Sequence, residues 1–344
     1  MVTIREIAQS AGVSPATVSL VLNNSPRVAV QTRELVEQSV KTLGYEPRQA
    51  GRPRRAHAQS GMRHHVGFVT SRPMSQFKRT LLYLDVLDGI NAALASEQST
   101  SQFVHVDLDQ PLPRELVEKQ FEGLIVLGPE LVPVLQELDP AIAFVQVMGA
   151  PVFNANWDQV TWNNQLTAEL AGRYLLKQGH KHIAILDVED HNQPHAIRNK
   201  SFAEFAIAQG ARVRINPALK LQKGVLLHTQ LVAPLKHLFK GKSRPTALYC
   251  AADMYTAAVY PALTSIGLRP GIDVCIASSN NESNIFAALD PQPVSVDLNP
   301  FEIGYRAATT LLRRIQSPQV PCSLQLISPS LPQLDEDSSD VNNT

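Results

Sequence analysis

Between residues 48 and 57 the chain reads Arg48-Gln49-Ala50-Gly51-Arg52-Pro53-Arg54-Arg55-Ala56-His57, which crowds arginines around one glycine and one proline. Guanidinium groups at that density suit a polyanion, and the affinity they supply falls as salt rises. Pro53 holds the chain extended, and Gly51 lets its backbone approach a groove floor. A narrow A·T-rich minor groove concentrates the negative potential that arginines seek. Two readings fit: a strand laid in the minor groove through Gly51, Arg52, Pro53, Arg54 and Arg55, or a basic tether that touches phosphates without choosing sequence. Covalent chemistry has no comparable set of residues. There is no nucleophile–base pair, no phosphate loop and no Cys/His group at metal-ligand spacing. His64-His65 and His180-x-His182 read as strand flanks. Cys250, Cys275 and Cys322 are scattered, as expected of reduced thiols in a cytoplasmic protein. The expectation is no enzyme, no cofactor and no metal.

The arginines follow a segment that would have to position them. Thr3 can cap a first helix, with Glu6 completing a capping box and Ile4, Ile7 and Ala8 facing a small core. Gly12 permits a tight turn. Ser14 then suits an N-cap and Pro15 the first helical position. Val18, Val21 and Leu22 form the buried stripe of this second helix, which Asn23-Asn24-Ser25-Pro26 ends. A third helix spans about 30–43, with Leu35, Val36, Val40 and Leu43 inward and Gly44 as its stop. Two short helices about a glycine turn form a helix-turn-helix, whose second helix is built to enter a major groove.

The run Val13-Ser14-x-Ala16-Thr17-Val18-Ser19-x-Val21-Leu22-Asn23, then Thr32-Arg33, then Leu43-Gly44-Tyr45-x-Pro47 resembles the DNA-binding head of the LacI/GalR (lactose-repressor) family. The resemblance implies that Ser14, Thr17, Ser19 and Asn23 contact phosphates, fixing register without reading sequence, and that Arg27 adds a further backbone contact. Thr3 joins the DNA-binding set. Pro15, Ala16 and Leu20 fall where the family faces base edges. Many members carry Arg at the Leu20 position. Arginine reads guanine through O6 and N7, whereas leucine offers apolar contact, for example to a thymine methyl. The operator is therefore expected to lack a fixed guanine beneath Leu20; selection from random DNA would show it, and a fixed guanine there would count against the reading. The family's minor-groove leucine is replaced by Arg54 in a segment that Gly51 and Pro53 turn away from helix. Gly51-Arg52-Pro53 looks instead like the core of an AT-hook.

Charge divides the chain the same way. Residues 1–65 hold nine basic and four acidic side chains, and the remainder 22 and 27, so a balanced total of 31 and 31 conceals a basic head on an acidic body. That asymmetry favours docking through the head. A length of 344 residues suits two or three domains. The start is a polar amphipathic helix rather than a signal peptide, and the longest apolar stretch, Thr246 to Leu263, is broken by Asp253, so no membrane span is expected. The expected location is the cytoplasm, on the bacterial nucleoid when DNA-bound.

Beyond residue 65 short apolar runs alternate with helical patterns, which predicts parallel sheets with helices on both faces, and two sheets rather than one. The family resemblance continues in Leu176-x-x-Gly179-His180-x-x-Ile183-Ala184, Asp253-Met254, Gly267-x-x-Pro270-x-x-Asp273-Val274 and Pro293-Val294-Ser295-Val296 leading to Gly304-x-x-Ala307. It implies an all-α head followed by a periplasmic-binding-protein-like core of two doubly wound subdomains. The expected division is 1–47 for the head, 48–63 for the basic linker, 64–331 for the effector-binding and dimerisation core, and 332–344 for a disordered acidic tail. Crossovers near 161–163, 292–295 and 319–321 would place 64–162 and 294–319 in one subdomain, and 163–293 and 320–331 in the other.

The resemblance also implies a ligand cleft whose closure or opening shifts two heads on a pseudo-palindromic operator. Arg198 matches the arginine of an Arg-x-x-Gly-aromatic motif, here Arg198-Asn199-Lys200-Ser201-Phe202. Asp253 keeps an aspartate whose usual asparagine neighbour is Ala252, and Asn280 stands where the family has Asp. Ser71 and Arg72 follow the first strand towards the cleft mouth. Two altered polar positions weaken a simple-sugar assignment and favour a different or more anionic effector. The tail lacks tetramerising heptads, so a homodimer is expected. The reading is a repressor under effector control. A ligand-independent, architectural DNA-binding protein is the alternative, and an enzyme or binding protein with a vestigial head is a third class.

Overall fold

The computed structural model describes residues 4–14, 17–18, 21, 30–43, 64–74, 81–139, 141–189 and 193–331. The chain divides into two units, 1–59 and 60–344. In the first, α1 spans Ile4–Ser10 and α2 spans Val30–Thr42. Thr17, Val18 and Val21 are helical between them. The Thr17 amide donates to Ser14 Oγ at 3.1 Å, so Ser14 caps this turn as its residue type predicts. Gly12 adopts φ +64° in the preceding turn. Ile7, Ala8, Val18, Val21 and Val36 form the core, with Val40 and Leu43 packed against it. Leu35, expected inside, is 54% exposed. Val36, Val40 and Leu43 fall at helical spacing on one stripe, and the adjacent position 35 is rotated about 100° away from it. Thr3, Pro15, Ala16, Ser19, Leu20, Asn23, Arg27, the linker 48–63 with Gly51, Arg52, Pro53, Arg54 and Arg55, and the tail 332–344 lie outside the described residues.

The second unit is two parallel α/β layers. Its elements are β1 (His65–Thr70), α3 (Leu81–Ser96), β2 (Thr100–His105), α4 (Arg114–Val117), β3 (Gly123–Leu127), α5 (Leu131–Leu138), β4 (Ala143–Val147), β5 (Asp158–Trp162), α6 (Asn164–Lys177), β6 (His182–Leu186), β7 (Val188–Glu189), α7 (Gln193–Ala208), β8 (Arg212–Ile215), β9 (Leu219–Lys220), α8 (Leu227–Leu238), β10 (Ala247–Cys250), α9 (Asp253–Ser265), β11 (Cys275–Asn280), α10 (Ser283–Phe286), β12 (Val294–Asp297), α11 (Pro300–Gln316) and β13 (Leu324–Ile327). One sheet has the order β13-β5-β4-β3-β1-β2 and the other β12-β11-β10-β6-β8, with β7 and β9 forming a small pair. Central strands such as β3 and β10 are buried along their whole length, as parallel strands covered on both faces must be. Among the described residues no helix is long and apolar enough to cross a membrane.

The first crossover follows Trp162, between β5 of the first sheet and α6. The other two move. β12 runs parallel to β11 with Ala277 opposite Val294, so residues 294–297 belong to the second layer and the chain returns only at Leu298–Asn299. β13 pairs with β5, Leu324 opposite Gln159, so it closes the first sheet rather than joining the second. The last crossing lies after Ile327, and Ser330 bridges back to Asp297. The expected subdomain limits of 294–319 and 320–331 are corrected accordingly: a four-residue alternating strand fits the edge of either sheet, and only its hydrogen-bonding partner decides.

In the first layer α3 and α11 meet backbone to backbone. A Cβ on Gly89 would stand 2.0 Å from the Phe301 carbonyl oxygen, and one on Gly304 would stand 1.9 Å from that of Val86. Both glycines are needed for their missing side chain, which lets Ile90, Ile303 and Ala307 share one core. Gly304→Ala must spread the two helices. The expected loss is about 3 kcal/mol, at the upper end of overpacking costs, read in differential scanning calorimetry as a melting point lower by roughly 10 °C. An unchanged melting point would mean the helices are not held this closely.

Candidate functional site

A cavity of about 750 Å³ opens between the two layers. Its wall is built where strands end: Gly128 to Glu130 after β3, Met148 to Ala150 after β4, Ala252 after β10, and Asn280 with Glu282 after β11. This is where doubly wound sheets bind ligands, because diverging connections leave a crevice at the carboxyl ends of the strands.

Arg198 dominates the wall. The second turn of α7 places it 1% exposed, with no carboxylate among its hydrogen-bond acceptors in the described residues. Its Nε donates to Asn164 Oδ1 at 2.8 Å, and its Nη1 donates to the Ala251 carbonyl at 2.9 Å and to Asn280 Oδ1 at 3.1 Å. The guanidinium lies over the Trp162 ring, 5.3 Å from its centroid, a favourable cation–π placement. Burial pulls its pKa down to about 10, against attraction from Tyr249 and Asp253. Tyr249 stacks on Phe202 with centroids 4.2 Å apart, so the aromatic residue of the sequence motif supports the floor beneath the arginine.

The structure sorts the expected effector residues. Arg72, Arg198 and Asn280 line the cavity. Arg72 is exposed at the rim and sits over the Tyr83 ring at 5.6 Å. Ser71 stands one step back, its hydroxyl donating to Glu130 Oε1 at 2.5 Å, and it is Glu130 that reaches the wall. Asp253 is fully buried behind the wall instead of on it. Its Oδ1 accepts from Ser278 Oγ at 2.5 Å and Ser295 Oγ at 2.8 Å, and its Oδ2 from the Glu282 amide at 2.8 Å. Those bonds tie β11 and β12 to the start of α9, which is a structural task and corrects the expected effector contact.

Sequence reasoning missed Tyr83, Glu130, Trp162, His195, Tyr255 and Glu282, all on the cavity wall. Most lie on different elements, so no spacing in the chain joins them. Trp162 is the exception, since it ends β5 at the first crossover, where a cleft residue is to be looked for. Four polar side-chain atoms are buried without a hydrogen-bond partner among the described residues, Trp162 Nε1, Asn164 Nδ2, Asn199 Oδ1 and Glu282 Oε2, and of these residues Trp162 and Glu282 are on the cavity wall. Unpaired buried polar groups are rare in folded proteins and point to a missing partner.

Burial pushes the Asp253 carboxyl up to about 7, although its three hydrogen bonds oppose the rise. A carboxyl held above its ordinary value of 3.8 favours the protonated form in the folded state. It therefore withdraws stability as pH rises from about 4 through 7. His180 and His182, lowered chiefly by burial, act in the opposite sense as pH falls below 6.5. The comparison with Asp253→Asn isolates the carboxyl: urea midpoints of the parent should fall relative to the variant between pH 5 and 8. Parallel curves would remove Asp253 as the titrating group.

The family model described as bacterial regulatory proteins, lacI family, matches residues 3–48, and the periplasmic binding protein-like domain model matches residues 173–333. The chain is 25% identical over 324 residues to the HTH-type transcriptional repressor PurR of Histophilus somni strain 129Pt, covering 92% of each chain. It is 26% identical over 322 residues to the repressor of the same name from Vibrio cholerae serotype O1 strain M66-2, again covering 92% of each. Among solved structures, the complex of the transcriptional regulator CelR with cellobiose superposes with a TM-score of 0.64 at 20% identity, over 96% of this chain and 98% of that one. The lac repressor dimer bound to operator and the anti-inducer ONPF gives 0.62 at 18% identity, over 96% and 97%. Both likenesses concern the fold alone.

Proposed function

We propose, from the premise that this chain is a DNA-binding transcriptional repressor belonging to the LacI family of bacterial regulatory proteins, that a small molecule held in the cavity between its two layers sets its affinity for a pseudo-palindromic operator. The observation that carries the reading is Arg198. A fully buried guanidinium faces a cavity walled by both layers, with no carboxylate among its hydrogen-bond acceptors in the described residues. Isolated buried charge is costly, and a ligand that supplies acceptors relieves the cost only when both layers close on it. Closure is then the two-state element that ligand and DNA both bias.

In this reading a dimer presents two heads, Ser14, Thr17, Ser19 and Asn23 hold phosphates, Pro15, Ala16 and Leu20 face bases, and the arginines of the linker add minor-groove or phosphate affinity. The protein works in the cytoplasm without cofactor. The test uses the full-length protein. Genomic fragments that it retains are footprinted, and fluorescence anisotropy then follows operator affinity across a metabolite collection. A two-fold related footprint and at least one compound that changes affinity tenfold or more are expected. No preference for any duplex in dilute buffer sinks the reading; a specific footprint that no compound moves favours a ligand-independent DNA-binding protein.

A further inference from the structure

Position 280 carries an amide where the family pattern places a carboxylate, yet the negative charge has not left the site. It stands two residues further on, at Glu282. Asn280 joins the two charged groups: its Oδ1 accepts from Arg198 Nη1 at 3.1 Å and its Nδ2 donates to Glu282 Oε1 at 3.2 Å. An ionised carboxylate, which only accepts, cannot do both. An aspartate at 280 would meet the arginine but would set two carboxylates at that spacing, where both cannot ionise. Asn280 and Glu282 are thus a matched pair.

The backbone is shaped to deliver Glu282. Asn280 and Asn281 have φ of 117° and 58°, left-handed values that asparagine tolerates better than most residues. The Glu282 amide is then fastened to Asp253 Oδ2 at 2.8 Å. The side chain is on the cavity wall and the residue is 4% exposed, while Oε2 has no hydrogen-bond partner among the described residues. Burial raises its pKa, and hydrogen bonds that the carboxyl accepts from the Asn280 amide and the Leu81 N–H oppose the rise. The unfilled groups of the two residues that touch the guanidinium are of the other kind: Trp162 Nε1 and Asn164 Nδ2 are both donors without acceptors, while the unfilled acceptor Asn199 Oδ1 belongs to a residue off the wall that donates to Asp187. The site therefore offers donors at its arginine end and one acceptor at its glutamate end.

We propose that Glu282 reads a donor on the effector, and that the effector is a small amphoteric nitrogen compound. Its carboxylate or carbonyl faces Arg198 and Trp162, and its amine or N–H faces Glu282 Oε2. The inference rests on the reading of this cavity as the effector site. Charged or strongly polar ends of opposite sign suit a desolvated Arg–Glu pair better than a polyol or an amine-free anion.

The test is a thermal-shift screen of full-length protein against three sets of probes: amino acids and nitrogen heterocycles, amine-free carboxylates, and simple sugars. Compounds from the first set should raise the melting point, and Glu282→Gln should weaken their binding at least tenfold. Stabilisation by sugars or amine-free carboxylates alone, or hits that bind Glu282→Gln as well as the parent, overturn this proposal and leave the effector reading standing. If no probe binds and no metabolite moves operator affinity, the effector reading fails and this proposal falls with it. A ligand-free measurement guards against misfolding. Asn280→Asp should lower the melting point at pH 8, and the Asn280→Asp, Glu282→Gln double variant should recover it. No recovery would break the claimed exchange of charge between the two positions.

Discussion

Arg198→Met is expected to abolish the effector response while leaving the melting point within about 5 °C of the parent. The two opposing terms are of similar size. Burial lowers the arginine pKa from 12.5 to about 10, which at about 1.4 kcal/mol per pH unit puts the cost of keeping the charge inside on the order of 3 kcal/mol. The unfolded chain solvates the same group freely, so the folded state bears that cost at every pH below about 10, and methionine removes it. In return, Asn164 Oδ1, Ala251 O and Asn280 Oδ1 lose their donor. Each costs about 1–3 kcal/mol if left dry, but the site borders a cavity of about 750 Å³, so water can take over part of that role. Methionine also keeps much of the side-chain volume beside Trp162. The ligand has no such substitute. Two charge-assisted hydrogen bonds at about 1.5–3 kcal/mol each correspond to a loss of roughly a hundredfold or more in affinity. Calorimetric melting together with effector-dependent operator release separates the outcomes. A melting point lower by 15 °C would show that Arg198 serves the fold first, and a preserved response would show that the effector does not use it.

That balance explains which parts of the protein could be read from the chain alone. Ser14 was legible because an N-cap acts on the residue three positions later, and it does so here at 3.1 Å. The central strands were legible because burial on both faces demands continuous apolar runs. Other strands carry no such run and are polar or alternating, as in β5, Asp158-Gln-Val-Thr-Trp162, β8, Arg212-Val-Arg-Ile215, and β13, Leu324-Gln-Leu-Ile327. β5 is buried throughout, and its polar residues are met by groups far away in sequence. Asp158 accepts from Arg314 Nε at 2.8 Å and from the Ser323 amide at 2.8 Å, across more than 150 positions. No local pattern encodes such a pairing. The same holds at the site. Arg198 was found through a short motif, whereas Glu282 has meaning only beside Asn280 and Arg198, which a bend of left-handed residues and a distant helix bring to it. Asp253 was misassigned for the complementary reason: an acidic residue after a strand looks like a cleft contact until its three internal donors are seen.

Ile7→Ala is expected to abolish operator binding while leaving the larger unit intact. Among the described residues Ile7 is fully buried in a small core that it shares with Ala8, Val18, Val21 and Val36. Truncating a buried isoleucine costs about 2–5 kcal/mol. A domain below about 60 residues buries too little surface to hold much more than that in reserve, so the substitution takes most or all of the margin of the head. Residues 1–59 form a compact unit of their own, so the loss is expected to stay local. Operator affinity should then fall at least a hundredfold, with the far-ultraviolet circular dichroism reduced by the share of the head helices. The main calorimetric transition, and the affinity for any effector, should stay within error. The conservative Ile7→Val variant, at about 0.5–1.5 kcal/mol, should retain binding at low temperature and lose it on warming. If Ile7→Ala also lowered the main transition, the head and the effector core would share a cooperative unit, and ligand signals could pass between them by packing alone. If operator binding survived the substitution, the three-helix head would not be the element that holds DNA.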